Sequence, residues 1–157
     1  MNRKTQLMWL PSAGFGIGGI VAAYSGDLLI YGLGMMGFLG GAAVGYARIG
    51  TVSSALLSGL YGAVGFFVGF YVSFLLVLDV WEPPLHYFFM GIISGAIGGA
   101  FIGLSLRQKK AIVRIGLGGA LAFGAGLSLL NVVNSPIIFA VSMMIGGGIL
   151  SLFLKDL

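Results

Sequence analysis

The stretch Leu39-Gly40-Gly41-Ala42-Ala43-Val44-Gly45, LGGAAVG, returns as IGGAFIG at 97–103 and as IGGGILS at 145–151. Each copy opens on an aliphatic residue and two glycines, Gly40-Gly41, Gly98-Gly99 and Gly146-Gly147. Four positions after the second glycine stands Gly45, Gly103 or Ser151. Residues four apart share a helix face, so each copy carries a small-xxx-small stripe of the kind that lets helices approach closely in lipid.

The surrounding composition selects lipid over water. Of 157 residues, 59% are hydrophobic and 8% charged, whereas soluble domains carry roughly a quarter charged residues. Mean hydropathy is +1.09. Too little polar surface exists to coat a water-soluble globule. Apolar runs of about 20 residues, long enough to cross a hydrocarbon core as helix, fall at 7–24, 28–47, 52–78, 85–106, 111–130 and 136–154. Short breaks separate them. Gly26-Asp27 can end one helix and cap the next, Pro83-Pro84 interrupts any continuous helix, and Ser135-Pro136 reads as an N-cap followed by proline at the first helical position. The expected fold is an all-α integral membrane protein of six transmembrane helices, forming one polytopic domain over 1–157.

The charges sort by connection. Arg3, Lys4, Arg48, Arg107, Lys109, Lys110, Arg114 and Lys155 all fall at one end of the predicted helices. Asp27, Asp79 and Glu82 fall at the other, and Asp156 alone departs from the pattern. The positive-inside rule then puts both termini in the cytoplasm, and the expected location is the plasma (cell inner) membrane. The same placement makes the net charge of +4 a topology signal, not a nucleic-acid footprint. An alternative reading of the first span as a cleaved signal peptide rests on Arg3-Lys4 and on the small residues Val21-Ala22-Ala23. Against it, the first span carries a repeat element of its own.

That element is shared by the odd spans. Gly16 to Ala22 aligns with Gly59 to Gly65 and Gly116 to Ala122, matching Gly16 with Gly59 and Gly116, and Gly19 with Gly62 and Gly119. Two elements alternating in the same order predict three parallel-oriented helical hairpins, at approximately 7–47, 52–106 and 111–154, around a pseudo-threefold axis. The predicted packing positions are Gly16, Gly19, Gly40, Gly41, Gly45, Gly59, Gly62, Gly98, Gly99, Gly103, Gly116, Gly119, Gly146 and Gly147.

Chemistry is hard to find. Gly14-Phe15-Gly16-Ile17-Gly18-Gly19 approximates a dinucleotide-binding pattern, but inside a membrane span it reads as packing. The chain has no cysteine and one histidine, so catalytic, cofactor and metal sites are expected to be absent. No acid or base lies at membrane depth, where a coupling-ion or proton-relay site would need one. Of the hydroxyls of Ser12, Tyr31, Ser58, Tyr61, Ser73, Ser94, Ser105, Ser128 and Ser142, most are expected to bond helix carbonyls or neighbouring helices, and a minority could line a narrow polar path. Asp79, Trp81, Glu82 and His86, in the turn DVWEPPLHY, form the one distinctive polar cluster, a possible external mouth or partner turn. The expectation is a non-enzymatic structural, assembly or accessory subunit of a membrane complex. Its partners would be the lipid bilayer and other membrane subunits or further copies of the chain. The alternative is a channel or facilitator for a small solute or ion, and less favoured still is a coupled transporter.

Overall fold

The computed structural model describes residues 3–77, 85–132, 135–155 and 157. Six α-helices account for nearly all of them: α1 (Arg3–Ala23), α2 (Leu29–Ile49), α3 (Val52–Val77), α4 (Leu85–Ser105), α5 (Lys109–Leu127) and α6 (Pro136–Leu154). The ends agree with the apolar runs to within a few residues. Five helical segments, Thr5–Ala23, Val52–Val77, Leu85–Ser105, Lys109–Asn131 and Pro136–Leu154, are long and apolar enough to cross a membrane. This is an all-α membrane fold.

Of the expected punctuation, Ser135-Pro136 caps α6, the N-cap of α2 is Leu28 without a side-chain cap and not Asp27, and Pro83-Pro84 lies outside the described residues. The Ser135 side chain accepts a hydrogen bond of 3.2 Å from the Ile138 backbone N–H, and Pro136 occupies the first helical position. Gly26, at φ +54°, opens the single 3-10 turn Gly26–Leu28 between α1 and α2. Gly50, at φ +85°, ends α2 in the left-handed conformation and donates its N–H to the Tyr46 carbonyl at 2.7 Å. Between α4 and α5 the chain reverses within residues 106–108, where Arg107 takes φ +55° without being glycine. Pro11 lies inside α1 and removes one bond from that helix's ladder.

Each helix packs antiparallel to its neighbours in chain order, and α6 closes back on α1, so the six form a ring. Arg48, Arg107, Lys109, Lys110, Arg114 and Lys155 therefore share one end, called here the basic end. Glycine and serine make up most of the buried positions of α4. The buried positions of α4 are Gly91, Ser94, Gly95, Gly98, Gly99, Ile102, Gly103 and Ser105. The outer surface instead carries Ile17, Leu60, Val64, Leu117, Leu121 and Leu152, each more than half exposed. Small residues line the helix-helix contacts, as expected where the solvent is hydrocarbon and close approach drives association, while large side chains such as Phe15, Phe66, Phe123 and Met143 are buried inside and others face outward.

Candidate functional site

Three aromatic rings meet at the centre of the ring. Phe15 of α1, Phe66 of α3 and Phe123 of α5 are fully buried. They touch edge to face at centroid distances of 5.3 Å (Phe15–Phe66), 4.9 Å (Phe15–Phe123) and 4.9 Å (Phe66–Phe123), the arrangement that aromatic quadrupoles favour. Each ring lies over one glycine of its following helix. A Cβ on Gly40 would run into the Phe15 ring, one on Gly98 would come within 2.6 Å of Phe66, and one on Gly146 within 3.0 Å of Phe123. One turn further along each odd helix, Gly18 abuts Met36, Gly69 abuts Ser94 and Gly126 abuts Ser142.

The motif behind this centre is a small residue, Phe, two variable residues and Gly: Gly14-Phe15-x-x-Gly18, Gly65-Phe66-x-x-Gly69 and Ala122-Phe123-x-x-Gly126. It differs from the alignment of Gly16 with Gly59 and Gly116. That alignment pairs Phe15 with Ser58, whereas the rings bring Phe15 to Phe66, a displacement of eight residues, or about two helical turns. A common Phe-x-x-Gly spacing was the available signal.

The predicted packing glycines fall at these places. Gly41 and Gly45 face the Ser58 and Ser54 carbonyls of α3, and Gly62 faces the Gly37 carbonyl of α2. Gly99 and Gly103 face the Ile115 and Ala111 carbonyls of α5, and Gly119 faces the Gly95 carbonyl of α4. Gly147 meets the Pro11 carbonyl of α1, Gly19 meets Met143 and Ala140 of α6, Gly16 meets Met144, and Gly59 meets Phe38. Gly116 alone has ordinary room, its nearest neighbour being the Ala96 carbonyl at 3.4 Å from a Cβ position.

The hydroxyls are largely engaged. Ser58 and Ser105 share a buried bond of 2.6 Å between α3 and α4, and Ser12 donates to the Met144 carbonyl at 2.8 Å across the α1–α6 contact. Ser73, Ser94, Ser105 and Ser128 each donate to a carbonyl of their own helix or turn. Ser142 is fully buried, and its hydroxyl has no hydrogen-bond partner among the described residues.

Towards the end opposite the basic one, the packing gives way to a cavity of about 720 Å³. Every helix contributes to it: Ala23; Leu29 and Leu33; Phe67, Phe70, Tyr71 and Phe74; Tyr87 and Met90; Leu127; Pro136 and Phe139. The walls are apolar apart from the hydroxyls of Tyr71, Tyr87 and Ser135. Phe70 forms part of the floor, with its ring centroid 6.4 Å from that of Phe66. Of the predicted mouth, Asp79, Trp81 and Glu82 lie outside the described residues. His86 is half-buried at the start of α4, its ring 3.9 Å from that of Tyr87, which lines the cavity. Among the described residues there is no cluster of three or more metal-ligating side chains.

Comparison of the chain with protein-family models, with curated proteins and with solved structures finds no match.

Proposed function

We propose that the chain is a non-enzymatic structural, assembly or accessory subunit of a membrane complex, seated in the plasma (cell inner) membrane with both termini cytoplasmic. In this reading three hairpins of the same sense surround a pseudo-threefold axis, and glycine faces bring their backbones together. Two cyclic patterns support the repeat. The first glycine of each doubled pair sits beneath the Phe of its own hairpin, and the second meets the backbone of the next odd helix: Gly41 on α3, Gly99 on α5, Gly147 on α1.

The observation that carries the functional reading is the closed centre. Phe15, Phe66 and Phe123 fill the axis at the depth where a pore would have to pass, and their rings offer no polar group to replace an ion's hydration shell. A channel or facilitator has one feature in its favour, the cavity at the end opposite the basic one. That cavity stops at Phe70 and the aromatic centre.

Reconstitution of the purified chain into vesicles tests the reading. Ion, water and small-solute flux is expected to match empty vesicles, while gentle detergent extraction from native membranes yields a particle heavier than the 16.2 kDa chain. Flux above the empty-vesicle level would overturn the subunit reading in favour of the channel.

A further inference from the structure

We infer that the apolar cavity is a binding site for a membrane lipid, which inserts one acyl chain between α2 and α3. This goes beyond the subunit reading and stands or falls separately from it.

The origin of the cavity is visible in the sequence. Along α4, glycines at 91, 95, 99 and 103 all meet the backbone of α5: Gly91 at Phe123 and Gly124, Gly95 at Gly119, Gly99 at Ile115 and Gly103 at Ala111. Along α2 the same four-residue series reads Leu33, Gly37, Gly41, Gly45. Its three glycines meet α3 at Gly62, Ser58 and Ser54. Leu33 replaces the fourth, and Phe67, five residues beyond Gly62, stands where α5 has Gly124, five beyond Gly119. Two large side chains thus occupy the step at which α4 and α5 stay in contact. Both Leu33 and Phe67 line the cavity there.

The lining reaches the outer surface of the bundle along α3. Phe67, Tyr71 and Phe74 are 41%, 54% and 53% exposed, so the wall they form continues onto the outer surface of the bundle. In depth, the space runs from the helix ends at Ala23, Leu29 and Pro136 down to Phe70, seven residues from the end of α3, or on the order of 10 Å.

The surroundings decide the occupant. A void of this size would forfeit dispersion contacts along its whole lining, which packed proteins do not leave unmade. Water gains little in a cavity so poor in polar partners. The phase that bathes the outer surface of a membrane helix bundle is hydrocarbon, and the volume lies within the 300–1,000 Å³ typical of small-ligand sites. Tyr87 and Ser135 supply hydroxyls near the helix ends, where a lipid's ester and headgroup region would lie.

Phe70 provides the reporter, because it lines the cavity and is otherwise 7% exposed. In a Trp9→Phe, Trp81→Phe background, Phe70→Trp is placed in phosphatidylcholine vesicles with or without dibrominated acyl chains. Brominated chains are expected to quench its fluorescence to an extent comparable with Leu117→Trp on the lipid-facing surface. Adding Ala23→Phe, which fills the cavity from α1, is expected to remove most of that loss. Equal fluorescence in brominated and plain vesicles would overturn the inference and assign the space to protein, whether the 78–84 connection or a partner helix. Native mass spectrometry of the unaltered chain gives a reading independent of how that variant folds. One phospholipid should remain bound per chain and be lost in Ala23→Phe; a lipid-free chain, or retention in Ala23→Phe, would overturn the site.

Discussion

The contact of α4 with α5 and the contact of α2 with α3 are built on the same four-residue spacing, and they differ at one step. Gly91 and Gly124 lie in close contact across α4 and α5 towards the end opposite the basic one, while Leu33 and Phe67, at the corresponding positions of α2 and α3, line the cavity. The difference teaches that glycine here acts by absence. At Gly91, Gly95 and Gly99, as at Gly37 and Gly41, a carbonyl oxygen of the neighbouring helix occupies the place a side chain would take. Where Leu33 stands in place of glycine, the side chain lines a cavity of about 720 Å³. In hydrocarbon, apolar side chains gain little by leaving the solvent, so the closeness of backbones decides which helices stay together.

The sharpest way to break the contrast is to copy α2 onto α4. Gly91→Leu puts a branched side chain against the Phe123 carbonyl and should destabilise the protein by about 3 kcal/mol or more, the upper end for overpacking. A reversible unfolding titration in mixed detergent would measure it. A variant as stable as the parent would mean that the α4–α5 contact has slack not apparent in its geometry.

Truncation probes the same contrast more gently. Ile115→Ala removes a fully buried side chain from the closed contact and should cost about 2–5 kcal/mol. Leu33→Ala enlarges a space that already exists, so the penalty for a new cavity is largely missing and the cost should fall to about 1 kcal/mol. Equal losses in the same titration would place Leu33 in a packed core, not at the wall of an opening.

Much of the fold was legible because helix length and punctuation are local properties. Apolar runs, Ser135-Pro136 and Gly26 locate the helices without any knowledge of neighbours. The doubled glycines of α2, α4 and α6 were legible for the same reason, as they keep one spacing. The register of α1 was not: with 29 glycines in the chain, small residues match at several offsets, and only the contact of Phe15 with Phe66 selects among them. Nor was the aromatic centre. Phe66 and Phe67 are adjacent in an aromatic stretch, and helix rotation alone turns the first inward and the second towards the cavity. The cavity escaped notice because Leu33 and Phe67 look like ordinary apolar residues until the helices are paired.

The measurement closest to the central claim compares single methyl groups. Helix propensity favours alanine over glycine at any interior helical position by about 0.5–1 kcal/mol, so propensity alone predicts that Gly34→Ala and Gly119→Ala both stabilise. The backbone-contact account predicts opposite signs under one unfolding titration. Gly34→Ala, whose new methyl meets nothing, should stabilise by about that amount. Gly119→Ala, whose methyl meets the Gly95 carbonyl, should destabilise by about 1–3 kcal/mol. Stabilisation by both would contradict the claim that close backbone contact at glycine holds this bundle together.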